Sequence, residues 1–189
     1  MARFPSYYSN RVPPGTRALI PQFAAAAGVS IDFKRDGTRL GWDGVSIAGR
    51  GESCVTLIHE LAHWLVATPA QRERAEFALG PTTLSMHHPR ARKEMSRSKT
   101  QRCKAERLTL LVQAAIQASM GLNYVYVLDD TSTWYYVNGV WKMGLIRRDL
   151  EELRARKILT RDVPRAAVKL GWVDPRKKLF TEDQLYELR

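Results

Sequence analysis

The spacing of apolar positions divides this chain into helical and extended stretches. Residues 18–28 (ALIPQFAAAAG) predict a short helix that Pro21 opens and Gly28 stops. From 29 to 49 the apolar period shortens toward two. Asp36-Gly37 predicts a hairpin there between two short strands, the second near Val45–Ala48 and ending at Gly49-Arg50-Gly51. A helix is expected from Ser53 to about Ala67. Thr68, Pro69 and Gln71 then have the spacing of a capping box that starts another, which ends by Gly80-Pro81. Residues 81–97 read as a polar, basic loop. A long helix follows from Lys99 to Met120 with Gly121 as its stop, and Leu108, Leu111, Val112, Ala115 and Ser119 form its buried stripe. Residues 122–146 read as strands, with Asn138-Gly139 as a hairpin turn. The tail predicts a helix over Arg147–Ile158, a short one around Pro164–Leu170 and a turn near Glu182–Leu188.

With 189 residues, one compact domain is expected. Its parts are an extended N-terminal arm (1–17, with Pro5, Pro13, Pro14 and Gly15), a main domain (18–146) and a basic helical extension (147–189). No apolar run is long enough to predict a membrane span. The N-terminus lacks the apolar core of a secretory signal, and Cys54 and Cys103 cannot make a disulfide framework, so a cytoplasmic setting is expected.

Charge adds a partner class. Thirty Lys and Arg against nineteen Asp and Glu give +11, a field that attracts polyanions, above all nucleic acid. The excess is concentrated in residues 90–107, with eight basic residues against two acidic, and in 147–178, with eleven against five. Both stretches also suit solvated helix faces. The aromatic run Trp134–Trp141 reads either as a stacking platform or, at strand spacing, as core packing.

The chemistry is concentrated in His59-Glu60-Leu61-Ala62-His63. Histidines at i and i+4 lie roughly 40° apart around a helix, so both imidazoles can face one ion. Zinc takes such nitrogens, and Glu60, one residue past the first, can reach a water as general base. Leu57, Ile58, Trp64 and Leu65 supply the apolar surface that buries the rest of the helix.

The segment from Thr56 to Leu65, apolar and with no charge between its histidines apart from Glu60, resembles the zincin metallopeptidases. The resemblance implies an α+β zincin-like fold: a short mixed sheet, the HExxH helix, a second long helix and the C-terminal helical extension. It also implies that Trp42–Ala48 is an edge strand that accepts an extended peptide. The metzincin continuation is excluded, because Val66 and Pro69 occupy the positions of its Gly and His. Over about residues 40–121 the chain is similar to ImmA/IrrE-like and related phage-encoded metallopeptidases, in which a Glu on the following long helix completes the site. That implies Glu106 as third ligand, beside His59 and His63, with Zn2+ as cofactor.

Glu106 shares its helical face with Gln113 and Gln117, away from the apolar stripe, which equally suits a solvated glutamate. Glu76, Glu94, His87 and His88 remain alternatives. A third histidine would resemble the SprT-like proteases, which act on DNA-bound proteins, although the glycine of their pattern is missing beside Pro89. His87, His88 and Tyr124 are candidate oxyanion donors, while Cys54 and Cys103 read as inert thiols. The expected function is zinc-dependent hydrolysis of a protein or peptide, with Glu60 as general base. The competing expectation is a nucleic-acid-associated basic protein with a structural zinc.

Overall fold

The computed structural model describes residues 15–36, 40–79, 89–95, 97–120, 136–137 and 140–170. The fold is mixed α+β, mostly helical, around a two-stranded parallel sheet. Helix α1 spans Thr16–Ala27 and ends at Gly28, whose left-handed backbone lets its N–H return to Ala24 and Ala25 carbonyls. Pro21 lies inside this helix rather than at its start. The first turn is already closed at Gly15, by the bond from the Ala18 N–H to the Gly15 carbonyl.

Strand β1 (Ser30–Asp36) pairs with β2 (Ser46–Arg50) in parallel, so Asp36-Gly37 does not turn a hairpin between them. The turn that leads into β2 is at Asp43-Gly44. Asp43 Oδ1 accepts from the N–H groups of Val45 and Ser46, both at 2.8 Å, and Gly44 adopts φ +96°. Gly41 and Trp42 thereby run antiparallel to β2: the Ala48 N–H donates to the Gly41 carbonyl at 2.8 Å, and Trp42 bridges Ile47. Arg35 fixes this arch. Its guanidinium donates to the Leu40 carbonyl at 2.6 Å and to the Ser46 carbonyl, and it lies 3.4 Å from Asp43. The peptide-accepting edge expected over Trp42–Ala48 is therefore not formed, because Ile47 of β2 is flanked by β1 on one side and Trp42 on the other. Gly49 is needed where the strands meet, since a Cβ there would sit 2.7 Å from Ile31 Cγ2.

Helix α2 (Cys54–Val66) starts at Ser53, whose hydroxyl accepts from the Thr56 N–H at 3.1 Å. Helix α3 is one turn, Pro69–Arg72, not the longer helix expected to reach Gly80. Hydrogen bonds from the sheet end it. The Trp42 indole donates to the Arg72 carbonyl at 2.8 Å, and the Glu76 N–H donates to the Trp42 carbonyl at 3.0 Å. Residues Ala75–Ala78 then form a tight turn in which Glu76, Phe77 and Ala78 all have positive φ. A short α4 (Pro89–Glu94) precedes α5 (Lys99–Ser119), which opens with the reciprocal Ser98–Gln101 capping box.

Strands β3 (Tyr136–Val137) and β4 (Val140–Trp141) pair antiparallel, Tyr136 with Trp141 and Val137 with Val140; the expected Asn138-Gly139 turn lies outside the described residues. Helix α6 covers Met143–Ala155, four residues earlier than the apolar pattern predicts, because Ile146 is already in the core. One wide turn (Ile158–Asp162) leads into α7 (Val163–Lys169). Ile146, Leu150, Leu153, Val163 and Ala166 share one apolar cluster with Ile20, Phe23, Leu57, Leu61 and Ile116. The segment through Ala166 is thus continuous with the main core. Among the described residues, no helix is long and apolar enough to cross a membrane. The expected N-terminal arm up to residue 14, the strand over 122–135 and the terminal turn lie outside the described residues.

Candidate metal centre

Helix α2 packs along α5, burying Leu57, Ile58, Leu61, Ala62 and Leu65. Its remaining face carries the two histidines, His59 at 9% and His63 at 7% exposure, with ring centroids 4.5 Å apart and planes nearly perpendicular. On α5, Glu106, Thr109 and Gln113 recur at i, i+3 and i+7 and so share one face. That face is turned to the histidines. Gln113 and Thr109 are fully buried, which corrects the solvent-facing alternative for this polar stripe.

Hydrogen bonds hold both rings by Nδ1. His59 Nδ1 donates to Gln113 Oε1 at 2.9 Å, and His63 Nδ1 shares a hydrogen bond of 3.0 Å with the Thr109 hydroxyl. Both Nε2 atoms are left on the opposite side of the rings. Glu106 Oε2 lies there, 3.6 Å from His59 Nε2 and 3.3 Å from His63 Nε2. Neither approach has hydrogen-bond geometry, and this buried oxygen has no hydrogen-bond partner. Ligand atoms of the three residues all fall within 4.8 Å of one another.

Two imidazoles and a carboxylate converging in a buried site could hold a metal ion. Burial opposes charge on both partners, but proximity outweighs it. Glu106 raises the His59 imidazole to about 9, helped by Glu60 and Gln113, while His63 and His59 hold the Glu106 carboxyl far below the usual carboxylate range. A protonated His59 would neutralise Glu106 but would leave the off-line contacts unexplained. Two imidazoles and one carboxylate form the donor set of catalytic zinc, and one divalent ion would satisfy all three lone pairs, so the residues fit the group.

Glu60 is half-buried on the flank of α2 that meets the sheet, where a Cβ on Gly41 would stand 3.4 Å from its carboxylate. Glu76, an alternative ligand from the sequence, is not with the histidines. Its Oε1 accepts from the Gly41 N–H at 2.6 Å, and burial followed by repulsion from Glu60 raises its carboxyl to about 8. Phe77 stacks between Trp42 and His63, at centroid distances of 5.2 and 5.8 Å. The Glu76–Phe77 turn therefore closes the site on the sheet side. Glu94, also an alternative, pairs with Arg90 at 2.6 Å and accepts from the Ala75 N–H at 2.5 Å, outside the ligand group. Cys54 and Cys103 are free thiols and also lie outside it. His87, His88 and Tyr124 lie outside the described residues.

Sequence reasoning missed Thr109 and Gln113 as partners of the histidines. Their i+3 and i+7 spacing from Glu106 was the available signal. Parts of the basic stretches are ion-paired: the exposed Lys104 with Glu152 at 2.6 Å, and Arg107, turned inward, with the buried Asp149 at 2.8 Å. No protein-family model, curated protein or solved structure matches this chain.

Proposed function

We propose that this chain is a zinc-dependent metallopeptidase of zincin-like architecture. His59, His63 and Glu106 would hold the ion. The observation that carries the reading is the buried, unpartnered Oε2 of Glu106 facing the two Nε2 atoms, beside the HExxH glutamate. When bound, zinc supplies Lewis acidity toward a water and a peptide carbonyl.

The chain's own groups do the rest. Gln113 holds the His59 ring in the tautomer that leaves Nε2 free, and Thr109 orients the His63 ring through Nδ1. Glu60, beside the ligands but not among them, takes a proton from the attacking water and returns it to the leaving amine. An extended peptide pairing with Gly41–Trp42 beside Glu60 must displace the Glu76 turn, which occupies those backbone groups.

Glu60→Gln tests the reading. The variant is expected to keep wild-type zinc content while cleavage of a mixed peptide library, read by mass spectrometry, slows by about 10²–10⁴-fold. Cleavage at the wild-type rate, or no cleavage by the wild type, would contradict it.

A further inference from the structure

A second cavity, of about 610 Å³, opens beside the C-terminal end of α2, away from the histidines. Arg72, Arg156, Arg161 and Arg165 line it, against one carboxylate, Asp162. The floor is apolar, with Ala26, Ala27 and Ile158 beside the Trp64 indole.

Two of the guanidiniums have a structural task. Arg72 donates to the Trp64 carbonyl at 2.8 Å and lies 3.8 Å over the Trp64 ring, and Arg156 donates to the Val66 carbonyl. These bonds cap the last turn of α2 through neutral acceptors, and Asp162 offsets only part of the Arg72 charge. Arg156 reaches its nearest carboxylate, Glu152, only at 3.8 Å. Arg161 pairs with Asp162 at 2.7 Å. Arg165 makes no ion pair among the described residues. Burial lowers the proton affinity of Arg72, with Asp162 opposing and Arg156 adding to the effect, and burial followed by repulsion from Arg156 lowers that of Arg97 against the pull of Glu106. Arg97 lines an adjoining cavity of about 320 Å³ that shares Arg156. Like charges gathered around a concavity are relieved by an anion with several acceptor oxygens, and guanidiniums match phosphate geometry.

We propose that this cavity binds a phosphate-bearing ligand of nucleotide size. The arginines take the phosphate and the Ala26–Trp64 floor takes an apolar or aromatic moiety. The volume lies within the range of small-molecule sites, about 300–1,000 Å³. A nucleic-acid backbone tracking an open surface would need no such concavity. The site is independent of the metal centre.

Calorimetric titration of the intact, zinc-loaded protein with AMP and with inorganic phosphate tests it. AMP is expected to bind saturably and more tightly than phosphate. Arg161→Ala combined with Arg165→Ala, which spares the α2 cap, should weaken AMP by at least about tenfold. Lys34→Ala, an exposed cation on β1, should leave it unchanged, as should Glu60→Gln. No saturable AMP binding, binding untouched by the arginine pair, or binding of a thymidine dodecamer without AMP binding would each overturn the proposal.

Discussion

Replacing Gln113 by Met removes the hydrogen bond that orients His59. The side chain is fully buried and Met nearly matches its volume, so the loss includes the acceptor 2.9 Å from Nδ1 without leaving a cavity. Two effects follow. A buried imidazole N–H without its acceptor costs about 1–3 kcal/mol of folding stability. Without that acceptor the ring also populates the tautomer that carries its proton on Nε2, which cannot ligate. Loss of such an outer partner weakens metal affinity about 10–100-fold, or roughly 1.4–2.7 kcal/mol. Competition for zinc against a chromophoric chelator reads the affinity, and a thermal melt of metal-stripped protein reads the stability. Gln113→Glu restores an acceptor and should recover most of the zinc affinity. If Gln113→Met binds zinc within twofold of wild type, the bond does not orient a ligand and the reasoning fails.

Other outcomes follow from the buried carboxyls. Glu76 titrates near 8 in the folded chain against 4.5 when unfolded, so folding retains its proton and this stability is complete below 4.5 and lost as pH rises through about 8. Glu76→Gln keeps the acceptor for Gly41 and removes the titration. In metal-stripped protein its Tm should stay flatter between pH 5 and 8.5 and exceed wild type at the upper end; parallel curves would argue against the burial. Asp149 is buried and meets Arg107 through both carboxylate oxygens, at 2.8 and 3.3 Å. Asp149→Ala removes the carboxylate that faces a nearly buried guanidinium and should cost about 3 kcal/mol, lowering Tm by roughly 6–12 °C. A melt within 2 °C of wild type, on the order of ~1 kcal/mol or less, would show the pair to be peripheral.

The helices that carry the centre were legible because the HExxH turn sits in an unbroken 3.6-residue apolar pattern with a serine cap at Ser53. The face of α5 was harder to read. A helix that shows ligands and their supporting hydrogen bonds to the interior buries polar residues, so Thr109 and Gln113 look like a solvated stripe until α2 covers them. The sequence predicts a hairpin turn at Asp36-Gly37, whereas the turn that leads into β2 is at Asp43-Gly44, a dipeptide equally suited to one. Arg35, bonding the Leu40 and Ser46 carbonyls on either side of it, holds that turn in place. The positive φ of Glu76, Phe77 and Ala78 contradicts local preference by roughly 1–2 kcal/mol per residue, and the bonds to Gly41 and Trp42 hold the turn in that conformation.

Metal analysis of the purified, unsupplemented protein by inductively coupled plasma mass spectrometry bears most directly on the centre. The account predicts one zinc per chain in the wild type, lost in His59→Ala and His63→Ala and strongly reduced in Glu106→Gln. A wild-type chain without bound transition metal, or full zinc retention after removal of either imidazole, would contradict it.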